Sequence, residues 1–384
     1  MKTADGAKIE LIENPGSFAS LQQELEPHSH LALDTEFVRT NTFYPLLGLI
    51  QIGDKERCFL VDPLPFADKA PLSKFLGQSD RTFVLHSCSE DLNLLLTALS
   101  VTPSRVFDTQ IAAAFLGLGF SLSYQALVHD MLGIDIPKDE TRSDWIKRPL
   151  SDPQKIYAAT DVRYLLELRE MLEYQLKEKQ IYEWFDEDCR DLLVVAPVSE
   201  VSENWQQAYQ NINNAWRLND QGLNFLKSLC IWREQEARSR NKPRSWIAKD
   251  NDLLAIASRM SIESKLSLAA LQSIDAVEKQ LLNRYSSKLM DLLLQAQSSP
   301  AITEREMLNN PLSPNSRKKL KACQKIVQEI ASDLSIAPEL LGRKRIILEL
   351  VRASELNGNG AWPAGVSGWR RRILEPALAD ILSN

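Results

Sequence analysis

The chain has 384 residues, 44% hydrophobic and 25% charged, with a net charge of −6. That is an ordinary globular composition, long enough for two or three domains, and no run of 18 or more apolar residues indicates a membrane span. Five widely spaced cysteines without a CxxC pair argue against a disulfide framework or a zinc ribbon, and only four histidines are present, so any bound metal is expected to be a hard ion held by carboxylates.

The N-terminal MKTADGAKIELIEN lacks the apolar stretch of a signal peptide, and a cytoplasmic location is the default expectation. Charge is uneven. Residues 1–200 carry 19 Lys and Arg against 32 Asp and Glu, while the remainder is mildly basic. The acidic front suits a carboxylate site, and the rear could help to hold a polyanion.

In chain order, LALDTEF (31–37), LGLIQIG (47–53), RCFLVDP (57–63) and RTFVLHS (81–87) read as strands. The Gly53-Asp54 turn signal and close spacing predict an antiparallel meander of the first three. Helices are expected over 90–99, 109–117 and 121–132, then a long amphipathic one over 152–179. Ser151 or Asp152 caps the last, with Pro153 in its first turn. The pattern predicts an α/β domain, a mixed sheet covered by helices, over 1–200. A polar linker or connecting helix follows at 201–215. Residues 216–296 and 297–384 then read as two consecutive all-α bundles. QSSPAIT (297–303) reads as a second linker, and a Gly-rich stretch over 357–369 precedes the final helix.

Four acids stand in distinctive settings. Asp34 and Glu36 are two apart on a strand, so they share a face. A buried acid pair is costly unless cations compensate it. Asp91 follows RTFVLHS and opens a helix; it is equally suited to complementing the helix dipole. Tyr157 and Asp161 are at i and i+4, hence on one face of a helix. Four converging carboxylates could hold two divalent ions, the usual machinery for attack on a phosphodiester.

In this order, DxE, a lone Asp and YxxxD resemble the DEDD superfamily of 3′–5′ exonucleases, in its tyrosine branch. VFDTQIAAAFLG (106–117) and SDWIKRPLSDPQKIYAATDVRYLLEL (143–168) are similar to the ribonuclease D family in particular, and WREQEARSRNKPRSWIAKDNDLLAIA (232–257) resembles the HRDC module. The resemblance implies a ribonuclease H-like exonuclease domain followed by two HRDC-type bundles. It implies catalytic residues Asp34, Glu36, Asp91, Tyr157 and Asp161, the four acids binding two Mg²⁺ or Mn²⁺ ions. The implied substrate is RNA with a free 3′ end, tRNA precursors above all, released as 5′-monophosphates. No obligate protein partner and no membrane association are expected. A DNA exonuclease and a non-catalytic nucleic-acid scaffold are the alternatives.

Phe37 and His86 are candidates for contacting the terminal base, although a core Phe and a satisfied core His are the more ordinary readings. Lys147 and Arg148 are candidates for a phosphate, against the usual solvated loop. Asp108 is expected to cap a helix. Arg233, Arg238, Arg240, Lys242 and Arg244, flanked by Trp232 and Trp246, form a basic cluster suited to RNA. The tryptophans are expected to be structural and the cations partly functional.

Overall fold

The structure, a computed structural model, describes residues 1–384 except 4, 138–142, 200, 202–204, 301, 303, 304, 306, 307, 358–361, 364, 365, 367 and 384. Positions 301 and 303 of the expected 297–303 linker, and 358–361, 364, 365 and 367 of the Gly-rich stretch, lie outside the described residues. Among the described residues no helix is long and apolar enough to cross a membrane.

Six strands form one mixed sheet: β1 (Lys8–Ile12), β2 (His30–Val38), β3 (Leu46–Gly53), β4 (Arg57–Val61), β5 (Thr82–Leu85) and β6 (Val106–Asp108), in the order β1-β4-β3-β2-β5-β6. The expected meander is present, since β2–β3 and β3–β4 are antiparallel. The pairs β1–β4, β2–β5 and β5–β6 are parallel. β1 and the three-residue β6 carry too little pattern to be picked out from sequence.

α1 (Pro15–Leu25), α2 (Ala70–Leu76), α3 (Ser89–Leu99), α4 (Thr109–Phe115), α5 (Tyr124–Leu132), α6 (Asp152–Arg163), α7 (Leu165–Glu178) and α8 (Tyr182–Ser199) complete the α/β layer. α6 lies across β2, β3 and β4, and α7 across β2 and β5.

The single long helix expected over 152–179 is two helices. Its start is as read: Ser151 and Gln154 form a capping box, with proline in the first turn. The break at Tyr164 has a specific cause. The Tyr124 hydroxyl donates to the Thr160 carbonyl at 3.1 Å and accepts from the Tyr164 backbone N–H at 3.1 Å. Those two backbone groups are four residues apart and would otherwise bond each other. A side chain inserted into the helical ladder ends one helix and starts another.

The described residues form two compact units. One contains 1–38, 45–197 and 314–384; the other contains 39–44 and 198–313. The C-terminal helices α14 (Pro314–Leu334), α15 (Pro338–Gly342), α16 (Lys344–Asn357) and α17 (Gly368–Ser383) therefore belong with the α/β layer. Trp369 stacks on Trp184 at 5.1 Å, meets Phe115 at 5.3 Å and donates its indole N–H to Asp188 at 2.9 Å. Arg370 pairs with the same buried carboxylate. The Ala337 N–H donates to the Ala114 carbonyl. At Gly117, with φ +76°, a Cβ would meet the Ser335 carbonyl oxygen at 2.8 Å, so the close approach of these segments requires glycine.

The second unit is all-α, built from α9 (Asp220–Ser239), α10 (Arg244–Ile247), α11 (Asp250–Met260), α12 (Leu268–Gln272) and α13 (Lys279–Gln297). Its core includes Leu223, Phe225, Leu229, Ile256, Leu271, Leu289 and Phe43. Segment 39–44, which leaves β2, is bound here: the Phe43 and Tyr44 N–H groups donate to the Asn241 side-chain oxygen at 3.0 Å.

Candidate active site

The site is built where β2 outruns its parallel neighbour. β5 pairs with β2 only over His30–Ala32, then ends, and its chain turns into α3. The remainder of β2 projects its side chains at the carboxyl ends of the parallel strands, the usual place for ligands in open α/β sheets. Asp34 and Glu36 project toward α6. This face is fixed by the next pair along it, Ala32 and Gly53, where a Cβ on Gly53 would meet the Val162 carbonyl of α6 at 3.1 Å. α6 brings Asp161 down onto the pair. Ligand oxygens of Asp34, Glu36 and Asp161 lie within 4.8 Å of one another.

Asp91 is in the first turn of α3 and buried. It lies outside that trio and accepts a hydrogen bond from Thr35, the residue between the two strand acids that points the other way. Thr35 carried no signal in the sequence beyond being a spacer. Asp108 caps α4 as expected, accepting from the Gln110 and Ile111 N–H groups. It also accepts from Ser87 and Cys88 N–H, so it ties down the turn that leads to Asp91. Ser87 holds φ +63° in that turn.

A β-bulge falls between Glu36 and Phe37, where Glu36 pairs with Leu49 and Phe37 with Leu47. The skipped residue, Gly48, has room for no Cβ, because the Trp145 carbonyl oxygen would lie 2.5 Å away. Bulges of this kind re-aim side chains beside functional sites. Tyr157, on α6, donates its hydroxyl to Asp161 and lies 6.1 Å, ring to ring, from Trp145.

Electrostatics follow from this crowding. Burial, then the charges of Asp91, Asp161 and Glu36, hold the Asp34 carboxyl well above the carboxylate range. Burial and the neighbouring acids push Glu36 to about 9. Asp161 rises to about 8 through burial, opposed by the Tyr157 bond. Asp91 rises to about 7 through burial, opposed by Thr35. Tyr157 is raised by burial and by the acids around it, so its phenol stays protonated.

No cationic side chain is among the leading influences on any of the four acids. Buried carboxylates so placed can all ionise only beside a cation. A further sign is Gln51, fully buried on β3 opposite Asp34 with neither amide atom hydrogen-bonded. The donor set, all carboxylate oxygen, fits a hard divalent ion.

The remaining candidates divide. Phe37 is half-buried at the bulge, and Lys147 is exposed. His86 is fully used. Its Nδ1 meets the Thr109 hydroxyl and its Nε2 meets the Leu122 carbonyl, each at 2.9 Å, and burial lowers its pKa. Both ring nitrogens are therefore engaged within the protein. Arg148 was a candidate for a phosphate, but its guanidinium is committed to Asp62 and to the Gly48, Trp145 and Lys147 carbonyls. It clamps the bulge loop.

In the helical unit most of the basic cluster is likewise spent internally. Arg233 bonds Asp250 and the Ala248 carbonyl. Arg238 lies over Phe43 and Trp205. Arg240 pairs with Glu236, and Arg244 with Glu234. Trp232 is core, but Trp246 is 59% exposed and not structural as expected.

Tyr124→Phe removes a hydroxyl from the break before Tyr164 and leaves the Thr160 and Tyr164 backbone groups to re-pair or stay unpaired. We expect a loss of about 1–3 kcal/mol, read as a lower midpoint in thermal unfolding. An unchanged midpoint would refute the inserted-hydroxyl account.

The comparisons with known proteins agree with this geometry. Residues 9–177 match a family described as 3′–5′ exonuclease, and residues 222–293 match the HRDC domain. The chain is 38% identical to ribonuclease D of Pseudomonas paraeruginosa over 98% of both chains. It is 34% identical to ribonuclease D of Escherichia coli, over 97% of this chain and 98% of that one. The crystal structure of the Escherichia coli enzyme, an exoribonuclease involved in structured RNA processing, superposes with a TM-score of 0.85 at 32% identity, covering 98% of each chain.

Proposed function

The chain belongs to the ribonuclease D family of 3′–5′ exoribonucleases, and from that premise we propose that it trims the 3′ ends of tRNA precursors and other small structured RNAs. The observation that carries the chemistry is the convergence of Asp34, Glu36 and Asp161, with Tyr157 bonded to the last.

In this reading Asp34, Glu36 and Asp161 would hold one divalent ion, Mg²⁺ or Mn²⁺, and Asp34 with Asp91 would serve a second. Such ions lower the pKa of water and offset the charge of the reacting phosphate, so no strong protein base is needed. Tyr157 stays protonated. It fixes the Asp161 carboxylate through its own hydrogen bond and positions the attacking water. In the same reading Glu36 and the half-buried Phe37, beside the bulge, contact the 3′-hydroxyl and the last base. Thr35 and Asp108 hold Asp91 and its turn.

The helical unit, read as the HRDC module over 216–296, grips the body of the RNA. Support comes from a polar cavity of about 790 Å³ whose lining includes Arg39, Thr42 and Asn251, and from the exposed Trp246. Phosphate contacts and a stacking surface are what a structured RNA requires.

The test is incubation with a 3′-extended tRNA, a matched RNA oligonucleotide and its DNA counterpart, each with Mg²⁺ or Mn²⁺. Stepwise release of nucleoside 5′-monophosphates from the RNAs is expected. Equal release from DNA favours a broader exonuclease, and internal cuts or 3′-phosphate ends contradict the proposal.

A further inference from the structure

Gln51 carries no role in the site as described so far. It is 0% exposed, and both its Nε2 and Oε1 are buried without a hydrogen-bond partner. A buried amide left unpaired costs about 1–3 kcal/mol, a penalty that a leucine or methionine of similar volume would avoid. The fold does not ask for an amide here. On β4 the neighbour of Gln51 is Leu60, itself 0% exposed.

The register explains what the amide faces. Gln51 is the Cα partner of Asp34 across the antiparallel β2–β3 pair. Opposed residues project from the same face, with Cβ atoms about 4.5–5.5 Å apart. That is the face covered by α6, which supplies Tyr157 and Asp161. Asp34 is supported by the Thr35 backbone N–H, and no side chain among the described residues donates to it. A half-buried acid whose donor is a backbone N–H therefore stands opposite a buried amide lacking an acceptor. A carboxylate bound to a cation still has outer lone pairs to satisfy, and partners that satisfy them set its orientation.

We propose that Gln51 is a positioning residue of the cation site, its Nε2–H donating to the outer oxygen of Asp34 and fixing which oxygen faces the ion. The proposal rests on the reading of Asp34 as a metal ligand. The amide contributes nothing while the acid cluster is without a cation, and its worth appears as affinity for that cation.

The test is a Mn²⁺ titration of the full chain without RNA, by calorimetry or by electron paramagnetic resonance of free Mn²⁺. Wild type, Gln51→Leu, Gln51→Met and Asp34→Asn are compared. Both Gln51 variants should bind Mn²⁺ about tenfold or more weakly. In EDTA their unfolding midpoints should equal or exceed that of wild type, because the orphaned amide is gone. Their nucleotide release should need more Mn²⁺ to reach half-maximal rate.

Wild-type Mn²⁺ affinity in both Gln51 variants overturns the proposal. So does a lowered midpoint in EDTA with unchanged affinity, which marks a purely structural glutamine. Undiminished Mn²⁺ binding by Asp34→Asn overturns the reading of the site beneath it, and the proposal falls with it.

Discussion

Asp34→Asn is expected to slow the release of nucleotides by at least about a thousandfold, or ~4 kcal/mol of transition-state stabilisation. Asp34 is the acid most enclosed by the others: Asp91, Asp161 and Glu36 all raise its pKa. Asparagine keeps the shape but cannot supply the negative charge that a divalent ion needs. The fold should survive, because the substitution removes one of four mutually repelling acids. The unfolding midpoint in EDTA is therefore expected to stay level or rise. Measuring single-turnover release with saturating Mn²⁺ separates the loss from weaker RNA binding. Near-wild-type release by a well-folded Asp34→Asn would show that the cluster is not the reaction centre.

A second large effect is expected in how the stability of the EDTA-treated protein depends on pH. Folded pKa values of about 9 for Glu36, about 8 for Asp161 and about 7 for Asp91 lie above ordinary values of 4.5 and 3.8. In that window the folded state keeps protons that the unfolded state has released. Stability therefore falls as pH rises, by at most about 1.4 kcal/mol per pH unit for each group. The contribution is complete below about pH 4 and is lost by about pH 9.

Divalent ions compete with those protons. The midpoint shift produced by Mg²⁺ or Mn²⁺ should thus be larger at pH 9 than at pH 6. Calorimetry from pH 5 to pH 9, with EDTA and with Mn²⁺, reads both. A fall on the order of 10 °C in EDTA is expected for a chain of this size, largely cancelled by Mn²⁺. A flat midpoint, or the same profile in Asp161→Asn, would contradict it.

The elements nearest the site were the most legible. LALDTEF reads as a strand with an apolar lead-in, and the period-two geometry of a strand puts Asp34 and Glu36 on one face. The Ser151 cap and the proline place the start of α6, and the i, i+4 spacing places Tyr157 beside Asp161. Asp91 was ambiguous because a helix N-terminus favours an acid whether or not it binds metal. Its burial and its bond to Thr35 depend on how α3 returns to the sheet.

Other features were illegible for a common reason: they depend on partners remote in sequence. Nothing in 152–179 shows that Tyr124 will enter the helical ladder at Thr160. Nothing near Arg148 shows that Asp62 and Gly48 will consume its donors. In the basic cluster the Arg240–Glu236 pair is local, four residues apart at the end of α9, whereas Arg233 and Arg244 meet Asp250 and Glu234 only because the chain turns back after that helix. Helices of 314–384 read as a bundle apart, since the need of Trp369 for Trp184, Phe115 and Asp188 leaves no trace in local pattern.

By itself the sequence determined the local chemistry: which residues share a strand or helix face, and which order of acids and tyrosine is present. Periodicity and spacing are set within a few residues, so they can be read there. Tertiary structure alone decided the convergence of Asp34, Glu36 and Asp161 within 4.8 Å, the burial that raises their pKa values, and the pairing of Gln51 with Asp34. These follow from strand register and from helices returning over the sheet, contacts whose partners are separated by up to 127 positions in the chain.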